Sequence, residues 1–112
     1  MDLIIGGAYQ GKLRYAMERF HLAPEELAYY DHGFDTSRRC ICYLEQAVWK
    51  AVEAGEPFVL PKLRPDAVVL CTDVSCGVVP VDKKQRLWRE ETGRAVCALA
   101  READSVTRMF CG

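Results

Sequence analysis

The sequence predicts an α/β fold: a small three-layer domain whose mainly parallel sheet of about four strands is joined by helical crossovers. Three observations lead there. Strand-like apolar runs alternate with helix-period segments along the chain. A short apolar run at the start, Asp2-Leu3-Ile4-Ile5, passes through a glycine-rich turn into a helical pattern. The strongest β-type run, Ala67-Val68-Val69-Leu70-Cys71, precedes a long amphipathic stretch. With 112 residues the chain holds one domain, 1–112, and 50% hydrophobic residues are enough for an ordinary core.

In chain order, the first strand covers Asp2 to Ile5. A helix follows over Lys12 to Phe20, with Leu13, Ala16, Met17 and Phe20 on its apolar face. Pro24-Glu25-Glu26 breaks that pattern. Leu27-Ala28-Tyr29-Tyr30 predicts a second strand, ending at Asp31-His32-Gly33. Asp35-Thr36-Ser37 offers N-cap side chains, and Cys40, Ile41, Leu44, Ala47, Val48, Ala51 and Val52 then predict one amphipathic helix closing at Gly55. Glu56 to Pro65 reads as irregular. After the Ala67–Cys71 strand and a loop from Thr72 to Val81, Lys83 to Ala103 predicts a long helix with Leu87, Trp88, Thr92, Ala95, Val96, Leu99 and Ala103 on one face. Ser105 to Cys111 predicts the last strand. Ligands of such sheets bind at the carboxyl ends of the strands. That edge should gather the glycine loop, Asp31-His32, Thr72-Asp73 and Cys111-Gly112.

A net charge of −1 with scattered arginines argues against a nucleic-acid partner. No apolar run of about 18 residues is present, and the N-terminus lacks a signal-peptide pattern, so the expectation is a cytoplasmic protein with no membrane partner. Six cysteines, Cys40, Cys42, Cys71, Cys76, Cys97 and Cys111, fall in apolar patterns and read as free buried thiols. Their spacings, Cys40-x-Cys42 and Cys71-x4-Cys76, are not those of paired CxxC metal knuckles.

Gly6-Gly7-Ala8-Tyr9-Gln10-Gly11-Lys12 spells G-x-x-x-x-G-K between a strand and a helix, the arrangement of a P-loop-like domain. Glycines let backbone N–H groups close on phosphate oxygens, the helix N-terminus adds positive potential, and the lysine reaches the terminal phosphates. Gly6, Gly7, Ala8, Tyr9, Gln10, Gly11, Lys12 and Leu13 are therefore the candidate nucleotide-binding residues. Leu13 stands where a Ser or Thr hydroxyl normally ligates Mg²⁺. Asp73, at the end of an apolar strand, has the placement of an acid that holds Mg²⁺ through water, so Lys12 and Asp73 are the candidate catalytic pair and Asp73 the metal residue.

Val69-Leu70-Cys71-Thr72-Asp73-Val74-Ser75-Cys76-Gly77-Val78-Val79-Pro80 resembles the strand and E-V-G-x-G-[IV]-V-P segment of the adenosylcobinamide kinase / adenosylcobinamide-phosphate guanylyltransferase family. Arg86-Leu87-Trp88-Arg89-Glu90-Glu91-Thr92-Gly93-Arg94 is similar to its R-x-[FY]-R-D-x-x-G-R segment. Ala103-Asp104-Ser105-Val106 to Cys111-Gly112 is similar to A-D-x-V-x-x-V-x-S-G, and Ile5-Gly6-Gly7-Ala8 with Gly11-Lys12 to T-G-G-A-R-S-G-K-S. Together these cover residues 3–16 and 67–112, about half the chain. The resemblance implies GTP or ATP on the glycine loop, Mg²⁺ at Asp73, a corrinoid substrate, a role in cobalamin biosynthesis and a homo-oligomer.

The departures point toward impaired or absent catalysis. Leu13 replaces the family's Ser, Ser75-Cys76 interrupts the glycine turn, and the chain is much shorter than a full member. The middle, Leu22 to Asp66, does not match, and neither His21 nor His32 carries the family's guanylylated-histidine motif. The expectation is thus a truncated, nucleotide-binding relative of a kinase and nucleotidyltransferase. The alternative is a non-catalytic interaction or regulatory module on a degenerate P-loop fold. A third reading gives Cys71, Cys76 and Cys111 a redox or metal role at the carboxyl edge.

Overall fold

The computed structural model of the chain describes residues 1–7, 11–31, 33–74 and 82–109. Its elements are β1 (Asp2–Gly6), α1 (Lys12–Arg19), a 3₁₀ turn (Pro24–Glu26), β2 (Leu27–Tyr29), β3 (Cys40–Cys42), α2 (Leu44–Ala54), β4 (Val68–Thr72), α3 (Lys83–Glu102) and β5 (Ser105–Met109). The five strands form one sheet in the order β2-β3-β4-β1-β5, and every pairing is parallel. A parallel sheet needs cover on both faces. Alternate residues accordingly divide into two cores. Leu3, Ile5, Ile41, Val69 and Cys71 pack with Leu44 of α2 and with Ala95 and Leu99 of α3. Ile4, Cys40, Cys42, Val68 and Leu70 pack with Ala16 of α1 and with Leu22. This is the expected three-layer α/β domain: α1 on one face, α2 and α3 on the other.

The fifth strand is a correction to the reading of 40–52 as one helix. Cys40, Ile41 and Cys42 are each 0% exposed, wedged between β2 and β4 and covered on both faces. A strand buried on both sides has no alternation, and three apolar residues ahead of a true helix extend its period by chance. Tyr43 marks the boundary: its φ of 62° is left-handed, so the chain turns there and α2 starts at Leu44. Asp35-Thr36-Ser37 therefore caps no helix. Asp35 instead accepts the Ser37 N–H at 3.1 Å in a local turn. The β2-to-β3 connection, residues 30–39, contains no helix among its described residues, an exception to the expected helical crossovers.

The remaining elements match their sequence signals over the described residues; the last strand is described as Ser105–Met109, and Phe110 and Cys111 of the predicted strand lie outside the described residues. Gly55, at φ 71°, closes α2 with its N–H bonded back to the helix. Asp82 caps α3 by accepting from the N–H groups of Lys84 and Gln85. Leu87, read as inward, is 45% exposed, whereas Thr92, Ala95 and Leu99 are buried. No helix among the described residues is long and apolar enough to cross a membrane.

Candidate functional site

Connectivity creates a crevice at one place on the carboxyl edge. β1 leads to α1 on one face and travels toward β2; β4, its neighbour, leads to α3 on the other face and travels toward β5. The chain thus leaves two adjacent strands in opposite directions, the topological switch point at which open α/β sheets bind ligands. The Asp73 N–H donates to the Gly6 carbonyl at 2.8 Å and pins the two strand ends together. Gly6, Gly7, Gly11, Lys12, Leu13, Thr72 and Asp73 are all brought here. Ala8, Tyr9 and Gln10 of the glycine loop lie outside the described residues, as do His32, Cys76 and Cys111.

Gly11 sits immediately before α1 at φ 70°, a left-handed conformation that glycine adopts without a Cβ clash. It sends Lys12 into the helix and under the crevice. Lys12 is only 3% exposed, and its ammonium donates to the Gly7 carbonyl at 2.7 Å and the Gly6 carbonyl at 3.3 Å. Burial lowers its pKa below the ordinary value, against the opposing pull of Glu45 and Cys71. The Tyr43 ring centre lies 6.0 Å from the ammonium. Leu13 is partly buried and packs against the α1-side core. The position that would supply a metal-binding hydroxyl is spent on packing.

Asp73 is half-buried, with one carboxylate oxygen 3.6 Å from the Arg108 guanidinium of β5. Beside them a cavity of about 280 Å³ is lined by Thr72, Thr92, Gly93 and Cys97. The Thr92 hydroxyl, on a residue 2% exposed, has no hydrogen-bond partner among the described residues. The donor set for Mg²⁺ is thin: Asp73 faces a guanidinium, and Leu13 offers no oxygen. Among the described residues no three His, Cys, Asp or Glu side chains are grouped to hold a metal ion.

Sequence reasoning missed Glu45, which lies at the centre of the edge. It is 8% exposed in the first turn of α2, and its carboxylate accepts the Thr72 N–H at 2.8 Å. Its backbone carbonyl accepts the Trp88 indole N–H at 2.8 Å, tying α2 to α3. An acid directly after the apolar run Cys40–Leu44 is the available signal, hidden because helix first turns commonly carry acids. Arg108 was also missed; only the pairing of Ile5 with Arg108 brings it beside Asp73.

Other candidates are placed elsewhere. Asp31 follows β2, two strands from β4. His21 is exposed in the turn after α1, at the opposite end of that helix from the glycine loop. Cys40, Cys42 and Cys71 are free, buried thiols; Cys40 and Cys42 touch at 3.8 Å. The Cys42 side chain and burial push the Cys40 thiol pKa far up, and burial raises that of Cys71. Cys97, expected in the core, is exposed, because Ala95 and Leu99 define the inward face of α3 and residue 97 falls between them. No protein-family model matches the chain, and no curated protein matches it in sequence.

Proposed function

We propose that this chain binds the phosphates of GTP or ATP on its Gly6–Leu13 loop, as a short and divergent relative of the adenosylcobinamide kinase / guanylyltransferase family. The observation that carries this reading is Lys12: a buried lysine at the first position of α1, its ammonium held on the carbonyls of Gly6 and Gly7 at a topological switch point. Lys12 is itself almost fully buried and held by two carbonyls, so a phosphate oxygen arriving at the loop would meet a preorganised charge. Phosphoryl or nucleotidyl transfer to a corrinoid in cobalamin biosynthesis is the activity implied by the resemblance. Leu13 packed against the core and Asp73 facing Arg108 favour impaired or absent turnover. Mg²⁺, brought with the nucleotide, would be held at Asp73 alone. A cytoplasmic homo-oligomer completes the proposal.

Calorimetric titration with GTP, ATP, GDP and ADP, with and without Mg²⁺, tests it. Micromolar binding that depends little on Mg²⁺ and vanishes in Lys12→Ala is expected. Leu13→Ser should strengthen the Mg²⁺ dependence. Absence of binding by all four nucleotides would favour the interaction-module reading instead.

A further inference from the structure

A cavity of about 500 Å³ opens between α2 and α3 at the carboxyl edge, within the size range of small-molecule sites. Trp49 and Trp88 form its walls, packed edge to face with ring centres 5.5 Å apart at 71°. Tyr30 and Val74 extend the apolar lining. The indole N–H of Trp88 is used up on the Glu45 carbonyl, which fixes that ring. Also in the lining is Glu45, 8% exposed, whose carboxylate accepts the Thr72 N–H at 2.8 Å as its one hydrogen bond among the described residues.

Glu45 makes no ion pair among the described residues. Lys12 is close enough to feel its charge but gives its ammonium to Gly6 and Gly7. A buried carboxylate with one N–H donor is costly unless a positive group joins it. Indole faces attract cations as well. The acid and the aromatic walls therefore select the same ligand. Lys50, the one cation among the described lining residues, is 60% exposed and lies 3.5 Å from Glu53, so it does not neutralise the interior.

We propose that this cavity is a binding site for a small organic ammonium ion, with its charge against Glu45 and its apolar body against the wall that Trp49 and Trp88 form together. The recognition does not require a nucleotide on the glycine loop, so it stands or falls separately from nucleotide binding. Tryptophan emission is the probe, titrated with phenethylamine at neutral pH and with 2-phenylethanol as its uncharged counterpart. Saturable quenching is expected, with phenethylammonium bound about tenfold more tightly than the alcohol. Glu45→Gln, which keeps an oxygen for the Thr72 N–H, should erase that preference while leaving the alcohol's affinity unchanged. Equal affinity for the two probes in the unmodified protein, or no saturable quenching by either, would overturn the proposal. Trp49→Leu provides a second check that does not touch Glu45: phenethylammonium affinity should fall by about tenfold. Unchanged affinity in that variant would also refute the site.

Discussion

Lys12 carries opposite obligations to stability and to binding. Its folded-state pKa lies below the ordinary 10.5 because burial disfavours the charged form. When both folded and unfolded chains are protonated, such a lysine subtracts from stability. The penalty fades as pH rises through the folded pKa toward 10.5, where the unfolded chain also loses its proton. Two carbonyl hydrogen bonds offset only part of it. Lys12→Met keeps the length of the side chain and removes the charge. At pH 7 it should raise the urea-unfolding free energy by about 1 kcal/mol while abolishing nucleotide binding. The stability gain should shrink toward pH 10. A destabilised Lys12→Met protein would mean that the Gly6 and Gly7 bonds outweigh burial. Lys12 and Asp73 were legible in the sequence because Lys12 closes a glycine loop that follows one recognisable strand and Asp73 directly follows another. Glu45 was not, since its importance comes from Thr72 and Trp88, residues 27 and 43 positions away.

At the scale of elements, legibility followed the number of faces each one buries. β1 and β4 are bounded by clear turn signals, and α1 and α3 each have one apolar stripe, so their periods are plain. β3 has three residues, all buried, and shares its apolar run with α2; only the left-handed Tyr43 separates the two. The β3 assignment has a direct energetic consequence. Ile41 pairs with Ala28 on one side and Val69 on the other and is 0% exposed, so truncation leaves a cavity that neighbouring strands cannot close. Ile41→Ala should cost about 2–4 kcal/mol in chemical denaturation. A residue in the fraying first turn of an amphipathic helix would lose far less, and a loss under about 1 kcal/mol would count against a central strand at 40–42.

At the scale of the molecule, the three-layer arrangement could be anticipated from alternating patterns, but the order β2-β3-β4-β1-β5 could not, because it depends on which strands meet across long intervals. That order sets the crevice between β1 and β4 and leaves β2 and β5 as edges. β5 pairs only with β1 among the described residues, and Val106 on it is 45% exposed. An edge with unpaired N–H and C=O groups is a template for a second chain. The proposed homo-oligomer would therefore assemble along β5. Sedimentation equilibrium should show self-association, and Val106→Lys should shift the protein toward monomer, since a lysine on an edge strand opposes pairing. The variant should keep its thermal midpoint in dilute solution, because Val106 is only partly buried within its own chain. A monomeric unmodified protein across the whole concentration range would remove the β5 edge as an interface, and with it the expected homo-oligomer.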